Sequence, residues 1–169
     1  MYIRGSLSEN VLPVAKHFPG HGDTDTDSHY ALPLISQDRT RLDSLELYPF
    51  KKLIEAGLPA IMVAHLNVKA LDSSGMPASL SAAVIDRYLK DSLKFNGLCF
   101  TDAMNMKGVT RGRERGEAEV AALLAGNDIL LFPEDIGQAI AKIKKAITDS
   151  VLTESMIDEK CKKILIAKY

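Results

Sequence analysis

The sequence has little of what marks a disulfide-linked or membrane-spanning protein. Its two cysteines, Cys99 and Cys161, lie far apart, in a predicted apolar strand and a predicted charged helix. Isolated thiols in such places favour reduced, non-catalytic side chains over a disulfide. A bilayer-spanning helix needs a run of about 18 apolar residues, and the sequence has none. We therefore expect no membrane partner.

An excess of one charge is also absent. The 169 residues include 21 lysines and arginines against 22 aspartates and glutamates, a net charge of −1. This balance leaves neither the basic footprint of a nucleic-acid-binding protein nor a basic face for a membrane surface. Residues 1–5 lack the apolar segment of a signal peptide, so none is expected there. With 46% apolar residues, the chain is suited to one domain with a sizeable core.

Titratable side chains are concentrated in one stretch, residues 16–29, which follows a short apolar run. It holds three histidines, three aspartates and one lysine. Pro19, Gly20 and Gly22 predict a turn, so the strand should end at Lys16 and His17 and open into a polar loop. Charged loops on rigid strands are where chemistry commonly occurs.

One interpretation of this stretch is a metal site. An EF-hand is excluded, because its sixth and twelfth positions counted from Asp23 are Ser28 and Leu34, where glycine and glutamate are needed. Three histidines remain as zinc ligands: His17, His21 and His29. Their spacing matches no helical H-E-x-x-H pattern, so metal is the weakest interpretation.

Two other interpretations remain open from the residues alone. The stretch is suited to a solvated loop whose carboxylates accept hydrogen bonds from local amides. It is also suited to acid–base chemistry, with Asp27 orienting His29 two residues later. A carboxylate that holds the tautomer of an imidazole and raises its basicity is a recurring catalytic device.

Apolar runs and helical patterns alternate four times along the chain. Strands are predicted at residues 12–17, 60–65, 97–101 and 128–132, and helices at 42–56, 82–95, 114–124, 136–147 and 154–166. Ser81 is a predicted N-cap, and Pro49 allows the regular part of the first helix to begin only there. Strands that are apolar throughout and separated by helices predict an α/β fold with a parallel sheet.

The polar residues of this pattern share one location. Lys16 and His17, His65, and Asp102 each come at the carboxyl end of a predicted strand. Both a (β/α)₈ barrel and an open doubly wound sheet place ligands at that edge, so the alternation does not separate the two. No G-x-G-x-x-G follows the first strand, which argues against dinucleotide binding.

Two longer motifs resemble a known family. Residues 16–22 (KHFPGHG) and 27–29 (DSH) are similar to the signature of glycoside hydrolase family 3, closest to its β-N-acetylglucosaminidase branch. Residues 100–108 (FTDAMNMKG) resemble the segment that carries the family's nucleophilic aspartate. The motifs occur in the family's order, and the likeness extends from about Val11 to the C-terminus.

The resemblance implies a role for each matching residue. Asp102 matches the nucleophile of a retaining mechanism, which passes through a covalent glycosyl-enzyme. His29 matches the branch's general acid/base, with Asp27 as its partner. Lys16 and His17 match contacts to sugar hydroxyls, and His65 is expected to line the same pocket. The family needs no cofactor and no metal.

The resemblance also implies an activity and an architecture. We expect a β-N-acetylhexosaminidase acting on N-acetylglucosamine-containing glycans or muropeptides, with a β-glucosidase or a non-catalytic half-domain as the alternatives. The fold is expected to be a (β/α)₈ barrel of which residues 1–169 supply the last four βα units. The chain would then need the missing N-terminal half-barrel or self-association. The compartment stays open between the cytoplasm and the cell envelope of a bacterium.

Overall fold

A computed structural model of the chain describes residues 2–22, 24 and 31–169. Six strands are present there: β1 (Val14–Phe18), β2 (Leu34–Ile35), β3 (Ala60–Val63), β4 (Asn67–Val68), β5 (Leu98–Ala103) and β6 (Ile129–Leu131). The helices are α1 (Tyr2–Ser8), α2 (Arg39–Ser44), α3 (Tyr48–Glu55), α4 (Lys107–Thr110), α5 (Glu117–Leu124), α6 (Ile136–Thr148) and α7 (Glu154–Lys168). A 3₁₀ turn at Ala78–Leu80 and a π-helix at Ala83–Ser92 lie between β4 and β5.

The four strands predicted from the apolar runs form one parallel sheet in the order β1-β3-β5-β6. Ala60 of β3 pairs with Val14 of β1 on one side and with Leu98 of β5 on the other. Each connection passes through helical structure, as parallel neighbours require. The predicted βα order is therefore confirmed. The short parallel pair β2 and β4 was not predicted, because two-residue strands leave no periodic signal.

Two helix predictions need correction. The single helix expected over residues 42–56 is two helices, α2 and α3, with Pro49 in the first turn of α3. The helix expected over 82–95 is largely a π-helix, in which the Arg87 amide donates to the Ala82 carbonyl five residues earlier. Its predicted cap is confirmed, because the Ser81 hydroxyl accepts a hydrogen bond from the Val84 amide at 3.2 Å.

The two faces of the sheet are covered unequally. One face carries Ile61, Val63 and Cys99, which pack with the surrounding helices into a fully buried core. The alternate residues lie on the other face, where Val14 and Leu131 remain 39% and 37% exposed. Side chains of a strand alternate between faces, so this second face is the one that a closed barrel would turn inward.

Both cysteines are free thiols, as predicted. Cys99 is buried, and burial together with the Asp128 carboxylate raises its pKa to about 12. Cys161 is exposed on α7. Within the part of the chain that the structure describes, no helix is long and apolar enough to cross a membrane.

Candidate active site

The carboxyl end of the sheet brings together side chains from two strands. His17 lies near the end of β1 and Asp102 near the end of β5, with β3 between them. Nε2 of His17 is 3.8 Å from Oδ2 of Asp102, and the side chains are 31% and 15% exposed. The two groups therefore share an edge that remains open to a ligand.

Asp102 has one oxygen held and one oxygen facing His17. Its Oδ1 accepts a hydrogen bond from the backbone amide of the next residue, Ala103, at 2.9 Å. This contact fixes the carboxylate plane and directs Oδ2 towards the His17 side. A half-buried carboxylate with one uncommitted oxygen is suited to act as a nucleophile.

His17 is neutral at neutral pH in this environment. Burial lowers the pKa of its imidazole below the ordinary 6.5, the Asp102 carboxylate opposes that effect, and Lys16 and His21 reinforce it. A neutral ring brings no positive charge to the side of Asp102, and it can either donate a hydrogen bond to a hydroxyl or accept one from it. This chemistry fits a group that contacts a sugar.

Lys16 lies beside His17 and is exposed. Both line a cavity of about 570 Å³ that extends over α3 to Pro49 and Phe50. The peptide bonds Lys16–His17 and Phe18–Pro19 are both cis. Lys16 and His17 thus line this cavity, and His17 also lies 3.8 Å from Asp102.

The turn after β1 is built against a buried carboxylate. Gly20 has a φ of +138°, and a Cβ at this position would lie 2.6 Å from Cβ of Glu46. Glu46 is 9% exposed, and its Oε1 accepts from the Arg41 guanidinium at 3.2 Å. Only glycine fits both the backbone conformation and the space, so the predicted turn at Gly20 has a tertiary reason as well as a local one.

His65 does not lie where the sequence suggested. The ring follows β3 but is fully buried, and both of its nitrogens are already engaged. Nδ1 is 2.6 Å from the Ser79 hydroxyl, and Nε2 is 3.0 Å from the Ala103 carbonyl oxygen. We expected His65 to line the pocket, but its ring is buried behind the strand ends.

Asp27 and His29 lie outside the described residues, so their predicted roles stay predictions. The zinc hypothesis includes His29, so it also stays a prediction. His17 and His21 are neighbours, with ring centroids 5.8 Å apart. Among residues 2–22, 24 and 31–169, no group of three or more potential ligands is close enough to hold a metal ion.

Sequence patterns missed three parts of this site. Ser79 and Glu46 belong to no motif, and Ala103 lies inside the motif 100–108, but nothing in the local sequence indicates which side chain each one contacts. Glu46 follows Leu45 in a helical pattern that predicts only a surface carboxylate. Its burial results from the approach of the Gly20 turn, which is 26 positions earlier in the sequence.

Comparison with known proteins agrees with these motifs. The profile described as "Glycosyl hydrolase family 3 N terminal domain" matches residues 1–167. The chain is 35% identical over 142 residues to Beta-hexosaminidase A of Pseudoalteromonas piscicida, covering 78% of this chain and 24% of that protein. It is also 35% identical over 145 residues to the Beta-hexosaminidase of Methylobacillus flagellatus, covering 84% of this chain and 41% of that one.

Comparison with a solved structure identifies the fold. The glycoside hydrolase family 3 beta-N-acetylglucosaminidase from Paenibacillus sp. str. FPU-7 superposes with a TM-score of 0.94 at 37% identity, covering 98% of this chain and 32% of that chain. The fold class is confirmed as the TIM-barrel type of α/β fold, of which this chain supplies a part. It spans less than half the length of each of these three relatives. The resemblance carried by residues 16–22 and 100–108 is confirmed, and the chain belongs to glycosyl hydrolase family 3, within its N-terminal domain.

Proposed function

We propose that this chain is the C-terminal half of a family 3 barrel domain, and that the complete protein is a retaining β-N-acetylhexosaminidase. It would remove terminal β-linked N-acetylglucosamine from a glycan or muropeptide. The single observation that carries the proposal is the placement of Asp102, in the motif 100–108, beside His17 at the open edge of the sheet. The names of the relatives support the substrate class.

In the first step Asp102 attacks the anomeric carbon. Oδ2 forms the new bond to that carbon, while Oδ1 keeps its hydrogen bond to the Ala103 amide. The bond from the anomeric carbon to the leaving oxygen breaks, and His29 donates a proton to that oxygen, with Asp27 stabilising the charged imidazole. The product of this step is a glycosyl ester of Asp102.

In the second step His29 accepts a proton from water, and the water oxygen attacks the same carbon. The ester bond breaks and Asp102 is released as a carboxylate. Two displacements at one carbon retain its configuration. Lys16 and His17 hold hydroxyls of the sugar ring, the lysine as a donor and the neutral imidazole as a donor or acceptor.

The architecture supports the proposal that half of the domain is supplied from elsewhere. β1 and β6 are the edge strands of the described sheet, and the exposed apolar face between them carries Val14 and Leu131. A preceding half-barrel would pair with both edges and cover that face. It would also complete the sugar site, of which Lys16, His17 and Asp102 form one side.

The proposal is tested by trapping the intermediate in the full-length protein. A 2-deoxy-2-fluoro glycoside with an activated leaving group should label Asp102, and peptide mass spectrometry should locate the adduct there. Asp102→Asn should prevent labelling and lower turnover by several orders of magnitude, because the covalent route is lost. Asp91→Asn, an exposed carboxylate on the π-helix, is the matched control that should leave both unchanged.

The substrate class is tested by comparing aryl β-N-acetylglucosaminides with aryl β-glucosides under the same conditions. A preference for the glucoside would favour the β-glucosidase alternative. Absence of both turnover and labelling in the complete protein would favour the non-catalytic half-domain. A label on another carboxylate would remove Asp102 from the role of nucleophile.

A further inference from the structure

His65 connects three parts of the fold behind the candidate nucleophile. The ring has no solvent exposure and lies between the 3₁₀ turn and the end of β5. Nδ1 is 2.6 Å from the Ser79 hydroxyl oxygen, and Nε2 is 3.0 Å from the Ala103 carbonyl oxygen. With no exposed surface, the ring is placed to act on the site through these two contacts.

The partners define the tautomer of the ring. The Ala103 carbonyl can only accept a hydrogen bond, so the proton must lie on Nε2. Nδ1 then accepts a hydrogen bond from the Ser79 hydroxyl. This neutral form provides a hydrogen-bond partner for both nitrogens of the buried ring. Burial also lowers the pKa of His65, which agrees with a neutral ring.

The Ser79 end of this connection is firmly anchored. The Ser79 amide donates to the Ala64 carbonyl at 3.2 Å, and the Ser79 carbonyl accepts from Nδ2 of Asn127 at 2.8 Å. The same Nδ2 donates to the Ala122 carbonyl of α5 at 2.8 Å. Ser79, whose hydroxyl orients His65, is therefore held on both sides of its backbone by hydrogen bonds.

The Ala103 end leads directly to the carboxylate. The carbonyl of Ala103 accepts from His65, while the amide of Ala103 donates to Oδ1 of Asp102 at 2.9 Å. Rotation of the Ala103 backbone would move its amide away from Oδ1, and the Asp102 carboxylate would then be free to turn. The hydrogen bond from His65 to the Ala103 carbonyl therefore also restricts the movement of the Ala103 amide.

We propose that His65 is a positioning residue for the reaction: through Ala103 it holds Asp102 in the orientation that presents Oδ2 to the sugar. The inference rests on the proposed function of Asp102 and adds a residue that touches neither sugar nor reacting atoms. A misplacement of about 1 Å at a reacting group costs on the order of 100-fold in rate. The ring would thus affect the rate of attack without affecting sugar binding.

Two amide variants of His65 separate the two contacts. In the full-length protein, His65→Gln places an amide N–H near the position of Nε2 and should keep the donor to Ala103. His65→Asn is shorter, reaches only towards Ser79 and should lose that donor. Val84→Ala, a buried truncation on the π-helix away from the site, is the control for a general loss of stability.

The readout is the rate at which the fluoro glycoside labels Asp102, together with KM and kcat on an activated aryl glycoside. For His65→Asn we expect labelling and kcat to fall by about 100-fold with KM within about twofold, and for His65→Gln we expect most of the loss to be rescued. Ser79→Ala keeps the ring and should give an intermediate loss, so the test remains informative if His65→Asn does not fold.

Equal losses of labelling rate and kcat in His65→Gln and His65→Asn would overturn the proposal. Losses of rate that simply follow the decrease in unfolding free energy, as in Val84→Ala, would also overturn it. So would a rise in KM with kcat unchanged, which would make His65 a binding group. If the wild-type protein were not labelled at Asp102, the proposed function itself would fail. The two failures are therefore distinguished by the wild-type protein alone.

Discussion

Nε2 of His17 lies 3.8 Å from Oδ2 of Asp102. This separation is too long for a hydrogen bond and short enough for the charge of either group to influence the other. Because burial lowers the pKa of His17, the imidazole is neutral at neutral pH and brings no positive charge of its own to Oδ2 of Asp102. The pair is thus arranged so that a neutral polar ring lies beside the free oxygen of Asp102, the proposed nucleophile.

This relationship predicts a dependence of activity on pH. The pKa of His17 is lowered, so the ring gains a proton only as the pH falls below the ordinary value of 6.5. The imidazolium would then pair with Oδ2 of Asp102 and weaken it as a nucleophile. We expect kcat/KM on an activated aryl glycoside to fall on the acid side, measured as a pH–rate profile. His17→Asn should remove this limb, and an unchanged limb in that variant would assign it to another group.

The proposed acid/base pair of His29 and Asp27 leads to a second prediction, which depends on the leaving group. His29→Ala should reduce turnover of substrates with poor leaving groups far more than turnover of activated aryl glycosides, because a good leaving group needs little protonation. Asp27→Ala should show the same pattern more mildly. The measurement is kcat/KM across aryl glycosides of graded leaving-group pKa. Equal losses on all substrates would exclude His29 from this role, and activity that survives exhaustive chelation would exclude the zinc hypothesis.

The turn after β1 offers a matched pair of glycines. Gly20→Ala should destabilise the protein by about 1–3 kcal/mol from its positive φ alone, with a further cost from the contact to Glu46. A Cβ at Gly22 would meet nothing within 4 Å among the described residues, so Gly22→Ala should change the free energy of unfolding by less than about 0.5 kcal/mol. Denaturant unfolding of both variants checks this, and equal effects would contradict the role given to Glu46.

An ion pair at the opposite end of the sheet predicts a purely structural effect. Nζ of Lys163 lies 2.8 Å from Oδ2 of Asp128, an almost fully buried oxygen that also accepts from the Cys99 amide. Lys163→Met keeps the length of the side chain and removes the ammonium group that lies 2.8 Å from Asp128. Lys163 is one-third exposed, so we expect a loss of about 1–3 kcal/mol, below the range for fully buried pairs.

The control for this pair is Lys162→Met on the same helix, where the side chain is exposed and should change stability by less than about 0.5 kcal/mol. Chemical denaturation of the three proteins provides the measurement. Lys163→Met should leave KM and kcat unchanged under conditions where the protein is folded. A Lys163→Met protein as stable as wild type would show that the pair is fully compensated by solvent.

The open face of the sheet predicts the behaviour of the 169-residue chain on its own. Val14 and Leu131 are partly exposed there, and Phe132, at the end of β6, is 68% exposed. Unpaired edge strands and an uncovered apolar face favour association. We expect the chain alone to dimerise or aggregate and to turn over an aryl N-acetylglucosaminide poorly or not at all. Light scattering and the assay check this, and a monodisperse monomer with full turnover would contradict it.

The order of strands and helices could be predicted from the sequence because apolar runs and helical periodicity are local properties. The four strands at 12–17, 60–65, 97–101 and 128–132 are confirmed within two residues at each end. The position of Asp102 beside Lys16 and His17 also followed, since the carboxyl ends of parallel strands meet at one edge. Only the motif at 100–108 led to the proposal that Asp102 is the nucleophile.

The direction of individual side chains at that edge depended on tertiary structure. His65 was expected in the pocket, yet the chain turns after β3 so that the ring lies between Ser79 and Ala103. A difference of one residue in where a strand ends decides which face a side chain points to. The interrupted helix over 42–56 is partly local, since Pro49 already indicated where its regular part begins, whereas the contact of Glu46 with the Gly20 turn is seen only in the tertiary structure.

The sequence by itself determined which chemical groups this protein carries and the order in which the strands present them. Tertiary structure decided the 3.8 Å between His17 and Asp102, the burial of His65 and the exposure of one face of the sheet. The contacts of His17 with Asp102 and of His65 with Ala103 join residues that are 85 and 38 positions apart in the sequence. Their geometry follows from the packing of whole strands and helices, which no local pattern encodes.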